Sequence, residues 1–151
     1  MTAVPDIKPH PLVCRLMAFY EDFSRDNLSR LDDFYTPDIE FVDPVHRVNG
    51  ILFLKRYMKN MASNLSHYRM RYMEVLTGEN AAYLTWEMDF AHNRIRGGEI
   101  ITVRGMTHLK FTSRVYYHED VYDMGALLYE HLPLLGGVTR MLKSRLAVQE
   151  K

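Results

Sequence analysis

The stretch IEFVDPVHRVNG, residues 39 to 50, alternates as a strand does and then breaks its own pattern. Side chains two apart on a strand share a face, so Asp43 follows Ile39 and Phe41 where the next residue should be greasy. A carboxylate against a core is costly unless it is paired or put to use. Two readings fit. Either Asp43-Pro44 starts a turn, as Asp-Pro pairs often do, or Asp43 is a proton acceptor at the mouth of a pocket.

Upstream of this stretch, Pro5, Pro9 and Pro11 mark residues 1–11 as a flexible arm. Leu12, Leu16, Phe19, Tyr20 and Phe23 then follow helical spacing. Asn27 is placed to cap a second short helix with Leu28, Leu31, Phe34 and Tyr35 on its apolar side, ending near Pro37. Beyond Gly50, the spacing of Ile51, Leu54, Met58, Met61 and Leu65 predicts a third helix. Downstream the texture changes. SHYRMRYMEVL, AAYLTWEMDFAH, EIITVRGMTHLKF and RVYYHEDVYD read as successive strands with short links, an antiparallel meander. The tail resumes helical character, broken at Pro133 and at Gly136-Gly137. The pattern predicts an α+β fold over 12–123, with N-terminal helices packed on one face of a curved, mainly antiparallel sheet, and a C-terminal helical extension over 124–151.

Each meander strand offers two faces. On AAYLTWEMDFAH, Trp86, Met88 and Phe90 oppose Thr85, Glu87 and Asp89. On RVYYHEDVYD, Tyr116, His118, Asp120 and Tyr122 oppose Val115, Tyr117, Glu119 and Val121. From alternation alone, a sheet covered on one side leaves its polar faces in water.

The composition narrows the classes of function. At 151 residues the chain suits one domain with a core of its own. Lys plus Arg and Asp plus Glu number 19 each, which leaves no net field to favour nucleic acid. The single cysteine, Cys14, excludes an internal disulfide and a multi-cysteine metal site. No basic segment followed by an unbroken apolar core marks a secretory signal, so a cytoplasmic location is expected. Apolar Leu134, Leu135, Val138, Met141 and Leu142 alternate in the tail with basic Arg140, Lys143 and Arg145. A lid or dimer contact is expected there rather than membrane contact, because the basic residues are few.

The order of elements and the phrase FYTPDIEFVDPVHRVNGILFLKRY, residues 34–57, resemble the SnoaL-like and nuclear transport factor two-like superfamily of cone-shaped α+β proteins. Its members include polyketide cyclases, ketosteroid isomerases and limonene epoxide hydrolases. The resemblance covers roughly Leu12 to Asp123 and implies a conical pocket on the concave side of the sheet. It places Asp43 at the position of the isomerase base. YYHEDVYD, residues 116–123, resembles the family phrase whose Asp points into the cavity, and Asp120 takes that place. The resemblance further implies a pocket lined by Thr85, Glu87, Asp89, Thr107 and Tyr122, with Phe19, Tyr35 and His46 as ligand contacts. Trp86, Met88 and Phe90 would then lie outside, as the face of a homodimer.

Two family activities lack their residues here. The ketosteroid oxyanion hole needs a Tyr and a protonated Asp, and those positions fall on Phe19 and Thr107. The epoxide hydrolase Arg is replaced by Glu87, with Asp89 two residues on. What remains is general acid–base chemistry on a small hydrophobic ligand, in the manner of an isomerase, cyclase, dehydratase or hydrolase. Asp43 or Asp120 would serve as base and His118 as acid or orienter. A non-catalytic dimeric binding module is the alternative. No cofactor is called for, and His118, Asp120, Asp43 and Asp89 have no metal-specific spacing.

Overall fold

The computed structural model describes residues 8–123, 141, 142 and 144. The tail expectations at Leu134, Leu135, Val138, Arg140, Lys143 and Arg145 lie outside these residues.

Helix α1 spans Pro11–Glu21 and so begins one residue inside the expected arm. Pro11 suits the first turn, where its missing N–H costs nothing, and His10 Nδ1 accepts from the Leu12 amide at 3.2 Å. Leu12, Val13, Leu16, Phe19 and Tyr20 form its buried stripe. A 3-10 segment follows over Arg25–Arg30 and runs into the single turn of α2, Leu31–Phe34. Its N-cap is Ser24 rather than Asn27, which sits within the first turn. There the Asn27 side chain accepts from the Ser24 amide at 3.1 Å and donates to Asp22 O at 2.7 Å.

Tyr35, expected on the second helix, instead opens strand β1, Tyr35–Val42. Thr36 precedes Pro37, a position biased toward extended backbone, and the helix gives way before it. Strand β2, Arg47–Asn49, pairs antiparallel with β1. Gly50 caps α3, Ile51–Ser63, at φ 93°, a left-handed conformation that glycine adopts without strain. Its amide donates to Ile39 O at 2.8 Å and so ties the helix start back to β1. Leu65, expected on this helix, starts β3, Leu65–Thr77.

Strands β3, β4 (Ala81–His92), β5 (Ile101–Phe111) and β6 (Val115–Tyr122) form the meander. The six-stranded sheet runs in the order β2-β1-β6-β5-β4-β3. Among the described strands only β1 and β6 pair in parallel, with Phe41 opposite His118, and the register shifts between Tyr35 and Glu40, where Pro37 lies. Helices and curled sheet enclose a core in which Leu16, Phe34, Ile39, Leu54 and Leu109 are fully buried. A second cluster of Trp86, Phe90, Ile101 and Val103 packs on β4 and β5.

Candidate functional site

A cavity of about 310 Å³ opens between the helices and the inner face of the sheet. Its wall is mainly aromatic and Met side chains from α1, α3 and β3–β6, with Asp43, His46, Thr107, His118 and Asp120 among its few polar groups. An apolar wall with a few polar groups is the usual make-up of a small-molecule site.

The register of the meander decides which side chains face this space. Leu84, Trp86 and Met88 of β4 stand opposite Thr107, Gly105 and Val103 of β5. Thr107 and Gly105 stand opposite Asp120 and Tyr122 of β6. Inward positions therefore alternate Trp86, Met88 and Phe90 with Thr107 and with His118, Asp120 and Tyr122. At the centre the chain has no side chain at all. A β-carbon on Gly105 would fall 2.2 Å from Trp86 Cζ2, so the indole occupies the room that glycine leaves.

A continuous hydrogen-bonded row runs through the buried wall. Tyr20 and Tyr35 hydroxyls meet at 2.6 Å, and Tyr35 meets His118 Nδ1 at 2.8 Å. His118 Nε2 lies 3.0 Å from Asp120 Oδ1. Thr107 Oγ1 reaches the same oxygen at 2.5 Å, and Trp86 Nε1 donates to Thr107 Oγ1 at 2.9 Å. The chemistry of the groups fixes the direction at the Trp86 end of this row. An indole N–H only donates, so the one hydroxyl proton of Thr107 goes to Asp120. Burial above all pushes the pKa of Tyr35 and of Tyr20 well up, so both keep their protons. The two hydroxyls thus bond each other, Tyr35 bonds His118 Nδ1, and the His118 ring links them to Asp120. Phe41 packs beside the imidazole with ring centroids 4.6 Å apart.

Both donors converge on Oδ1 of Asp120. Its other oxygen, Oδ2, takes no hydrogen bond among the described residues, and Asp120 lines the cavity. Tyr122 also lines the cavity with no hydrogen-bond partner among them. Burial, then the charges of Asp43 and Asp120, push the pKa of Tyr122 up, so its hydroxyl remains a donor.

Asp43 is a different kind of carboxylate. It lies just past the end of β1, where its Oδ1 accepts from the amides of Val45 at 2.8 Å and His46 at 2.7 Å. Its amide in turn donates to His46 O at 2.9 Å, closing the Asp-Pro turn. Oδ2 accepts from the Tyr57 hydroxyl, whose pKa is raised by burial first and by Asp43 second. Asp43 therefore forms a turn and faces the cavity at once, with donors on both of its oxygens. His46 lies at the rim, its ring 5.0 Å from that of Tyr57.

The sites expected on β4 need correction. Thr85, Glu87 and Asp89 face away from the cavity, because the apolar face carrying Trp86, Met88 and Phe90 is the inward one. Thr85 Oγ1 accepts from the Glu74 amide at 3.1 Å. Arg71 joins Glu87 at 3.2 Å and Asp89 at 2.5 Å, and Arg104 joins Glu87 at 2.7 Å. Hydrogen bonds from Arg71 and then Thr102 hold Asp89 at about 2, and those from Arg71 and then Arg104 lower Glu87. These are surface ion pairs. Phe19 is a core residue, and Tyr35 supports His118 from behind the wall; neither touches the cavity. The stripe on which a dimer face was expected is thus occupied within the monomer.

Tyr57, Trp86 and Tyr20 belong to the site and were not expected there. Trp86 and its face could have been found by giving the apolar side of β4 its ordinary inward reading. Tyr57 carries no local signal, since its partner Asp43 is fourteen residues away.

Among the described residues, no group of three or more His, Cys, Asp or Glu could hold a metal ion, and no helix is long and apolar enough to cross a membrane. The family model described as SnoaL-like domain matches residues 16–114. No curated protein matches the chain. Solved structures share the fold. A candidate SnoaL-like polyketide cyclase from Jannaschia sp. CCS1 superposes with a TM-score of 0.68 at 12% identity, covering 80% of this chain and 94% of that one. TerC, co-crystallised with polyporic acid, gives 0.64 at 16% identity over 77% and 92% of the two chains. AclR from Streptomyces galilaeus, a candidate hydroxylase, gives 0.62 at 19% identity over 77% and 89%.

Proposed function

The chain belongs to the SnoaL-like domain family, and from that premise we propose that it binds a small, largely apolar ring compound and moves a proton at a carbon beside a carbonyl, as a cyclase or isomerase does. The observation that carries this reading is the asymmetric carboxylate of Asp120. One oxygen is clamped by Thr107 and His118, while the other has no hydrogen-bond partner among the described residues and belongs to a side chain lining an apolar cavity. A carboxylate oriented in this way is a general base. Asp120 Oδ2 takes the proton from carbon, the C–H electron pair passes into an enolate, and the Tyr122 hydroxyl donates to the enolate oxygen. Return of the proton to another carbon completes an isomerase step; attack of the enolate carbon on a second carbonyl, whose oxygen then takes the proton back from Asp120, completes a cyclase step. His118 orients Asp120, and no cofactor is needed.

Asp43, the other expected base, has donors on both oxygens and is assigned to holding the mouth. The test uses 2-tetralone in deuterated buffer, with entry of solvent deuterium at its α-carbons followed by NMR. The wild type is expected to accelerate exchange, and Asp120→Asn to lose about 10²- to 10⁴-fold of that acceleration. An Asn variant as fast as the wild type would overturn the assignment.

A homodimer remains part of the proposal on a different surface. Leu76, Tyr83, Met106 and Val121 are exposed on the outward face of the meander, at 71%, 46%, 41% and 51%. Leu76 stands opposite Tyr83 and Met106 opposite Val121, and apolar pairs exposed on an outward sheet face fit a contact surface. Sedimentation of the wild type against Met106→Glu tests it, a monomer in both cases counting against it.

A further inference from the structure

His108 stands on the outward face of the meander, on the side of the sheet away from the cavity. The register sets it opposite Tyr83 of β4 and opposite Glu119 of β6, with Met106 and Lys110 as its outward neighbours on β5. Leu76 of β3 continues this row beyond Tyr83. The imidazole is half-buried on a face that is otherwise open. It stacks on Tyr83 with ring centroids 4.5 Å apart and planes at 10°, and Tyr117 approaches it edge-on at 5.6 Å. Two charges stand beside this cluster. Lys110 Nζ lies 4.8 Å from the centre of the Tyr117 ring, and Glu119 accepts from the Tyr117 hydroxyl at 2.9 Å.

Exposed Leu76, Tyr83, Met106 and Val121 surround this imidazole, so a second copy seated on them would cover it. The face suits such a copy in charge as well. It carries both signs, Arg71 and Arg104 with Glu87 and Asp89, Lys110 with Glu119, so like charges need not meet across a two-fold contact. Covering an imidazole takes water from it and disfavours its charged form. Already in the single chain, burial and then Lys110 lower the pKa of His108, while Glu119 opposes them.

We infer that His108 makes the pairing of two copies through this face pH-dependent: the contact accommodates a neutral imidazole, and protonation drives the copies apart. The inference rests on the homodimer proposed above and adds its regulation. The sign follows from proton linkage. The pair holds the imidazole below its pKa in the single chain, so it binds fewer protons than two separate chains do. Pairing is therefore strongest above the ordinary histidine value of 6.5 and weakens as pH falls below it.

Sedimentation of the whole chain in steps from pH 8 to pH 5.5 tests this. The wild type is expected to pair at pH 8 and to pair about tenfold more weakly at pH 5.5, the effect of one pKa unit. His108→Gln, which takes up no proton, is expected to hold one affinity across the range. Glu119→Gln still accepts from Tyr117 but loses the charge that favours an imidazolium, so its weakening is expected at lower pH than in the wild type. A wild-type affinity independent of pH, or a weakening that persists in His108→Gln, would overturn the switch and leave the dimer standing. A weakening in Glu119→Gln that stays in place or moves to higher pH would overturn it too. A single chain at every pH would overturn both the switch and the homodimer.

Discussion

Trp86 lies so close over Gly105 that a methyl group on the glycine would meet the indole at 2.2 Å. The contact fixes where the indole N–H points, and through Thr107 it fixes one of the two donors on Asp120. A backbone position with no side chain thus controls the geometry of a carboxylate one strand further on.

Gly105→Ala is expected to expel the indole from its seat and break the Trp86–Thr107 bond. Overpacking of this kind costs about 1–3 kcal/mol. Trp86 is the sole tryptophan of the chain, so its fluorescence maximum should shift to the red as urea unfolding moves to lower concentration. An unshifted spectrum at unchanged stability would contradict the packing described.

Tyr35→Phe removes the hydroxyl between Tyr20 and His118 while keeping the ring. It leaves a buried imidazole nitrogen without its partner, at a cost of about 1–3 kcal/mol. Deuterium exchange into 2-tetralone should fall with it, because Tyr35 holds in place the His118 ring that contacts Asp120. Lower stability with unchanged exchange would make Tyr35 a packing residue only.

Asp43 separates its two roles by chemistry. Asn keeps an oxygen to accept from the Val45 and His46 amides, whereas Ala keeps none. Asp43→Asn should therefore unfold close to the wild type and Asp43→Ala about 1–2 kcal/mol sooner, as for other lost side-chain acceptors of backbone amides. Both should retain 2-tetralone exchange if Asp120 is the base. Loss of exchange in Asp43→Asn at full stability would return the role to Asp43.

The outward ion pairs carry a pH dependence with a definite sign. Asp89 is held at about 2 against an ordinary 3.8, so the folded state releases this proton more readily than the unfolded chain. Its stabilisation is present above the ordinary value and is lost as pH falls from about 4 toward 2. Glu87 acts in the same direction. Urea midpoints should drop over this window, and Asp89→Asn should flatten part of the drop. A midpoint independent of pH there would count against the pairing with Arg71.

Most of the architecture was legible because it rests on local periodicity. The stripe of Leu12, Leu16, Phe19 and Tyr20 and the alternation of the meander need no distant information. Tyr35 was misplaced because helix and strand meet at one residue, where an apolar side chain satisfies either. On β6 the family likeness correctly turned His118, Asp120 and Tyr122 inward. On β4 the same likeness turned Glu87 and Asp89 inward, although the ordinary preference for burying Trp86 and Phe90 put them in water. The bridges between Tyr57 and Asp43, and between Tyr35 and His118, were invisible because no sequence spacing encodes a contact made by folding.

The parallel pairing of β1 with β6 also orders events in time. Tyr35 and Asp43 emerge some eighty residues before His118 and Asp120, and only the last strand of the meander brings Tyr35 and His118 together. Contacts so far apart along a chain close slowly, after local helices and hairpins have formed. Until then β1 has only β2 beside it, and its other edge is bare. A nascent chain halted before Val115 would hold its first helices and most of its meander yet have no ligand site, so ligand binding should report the completion of folding itself.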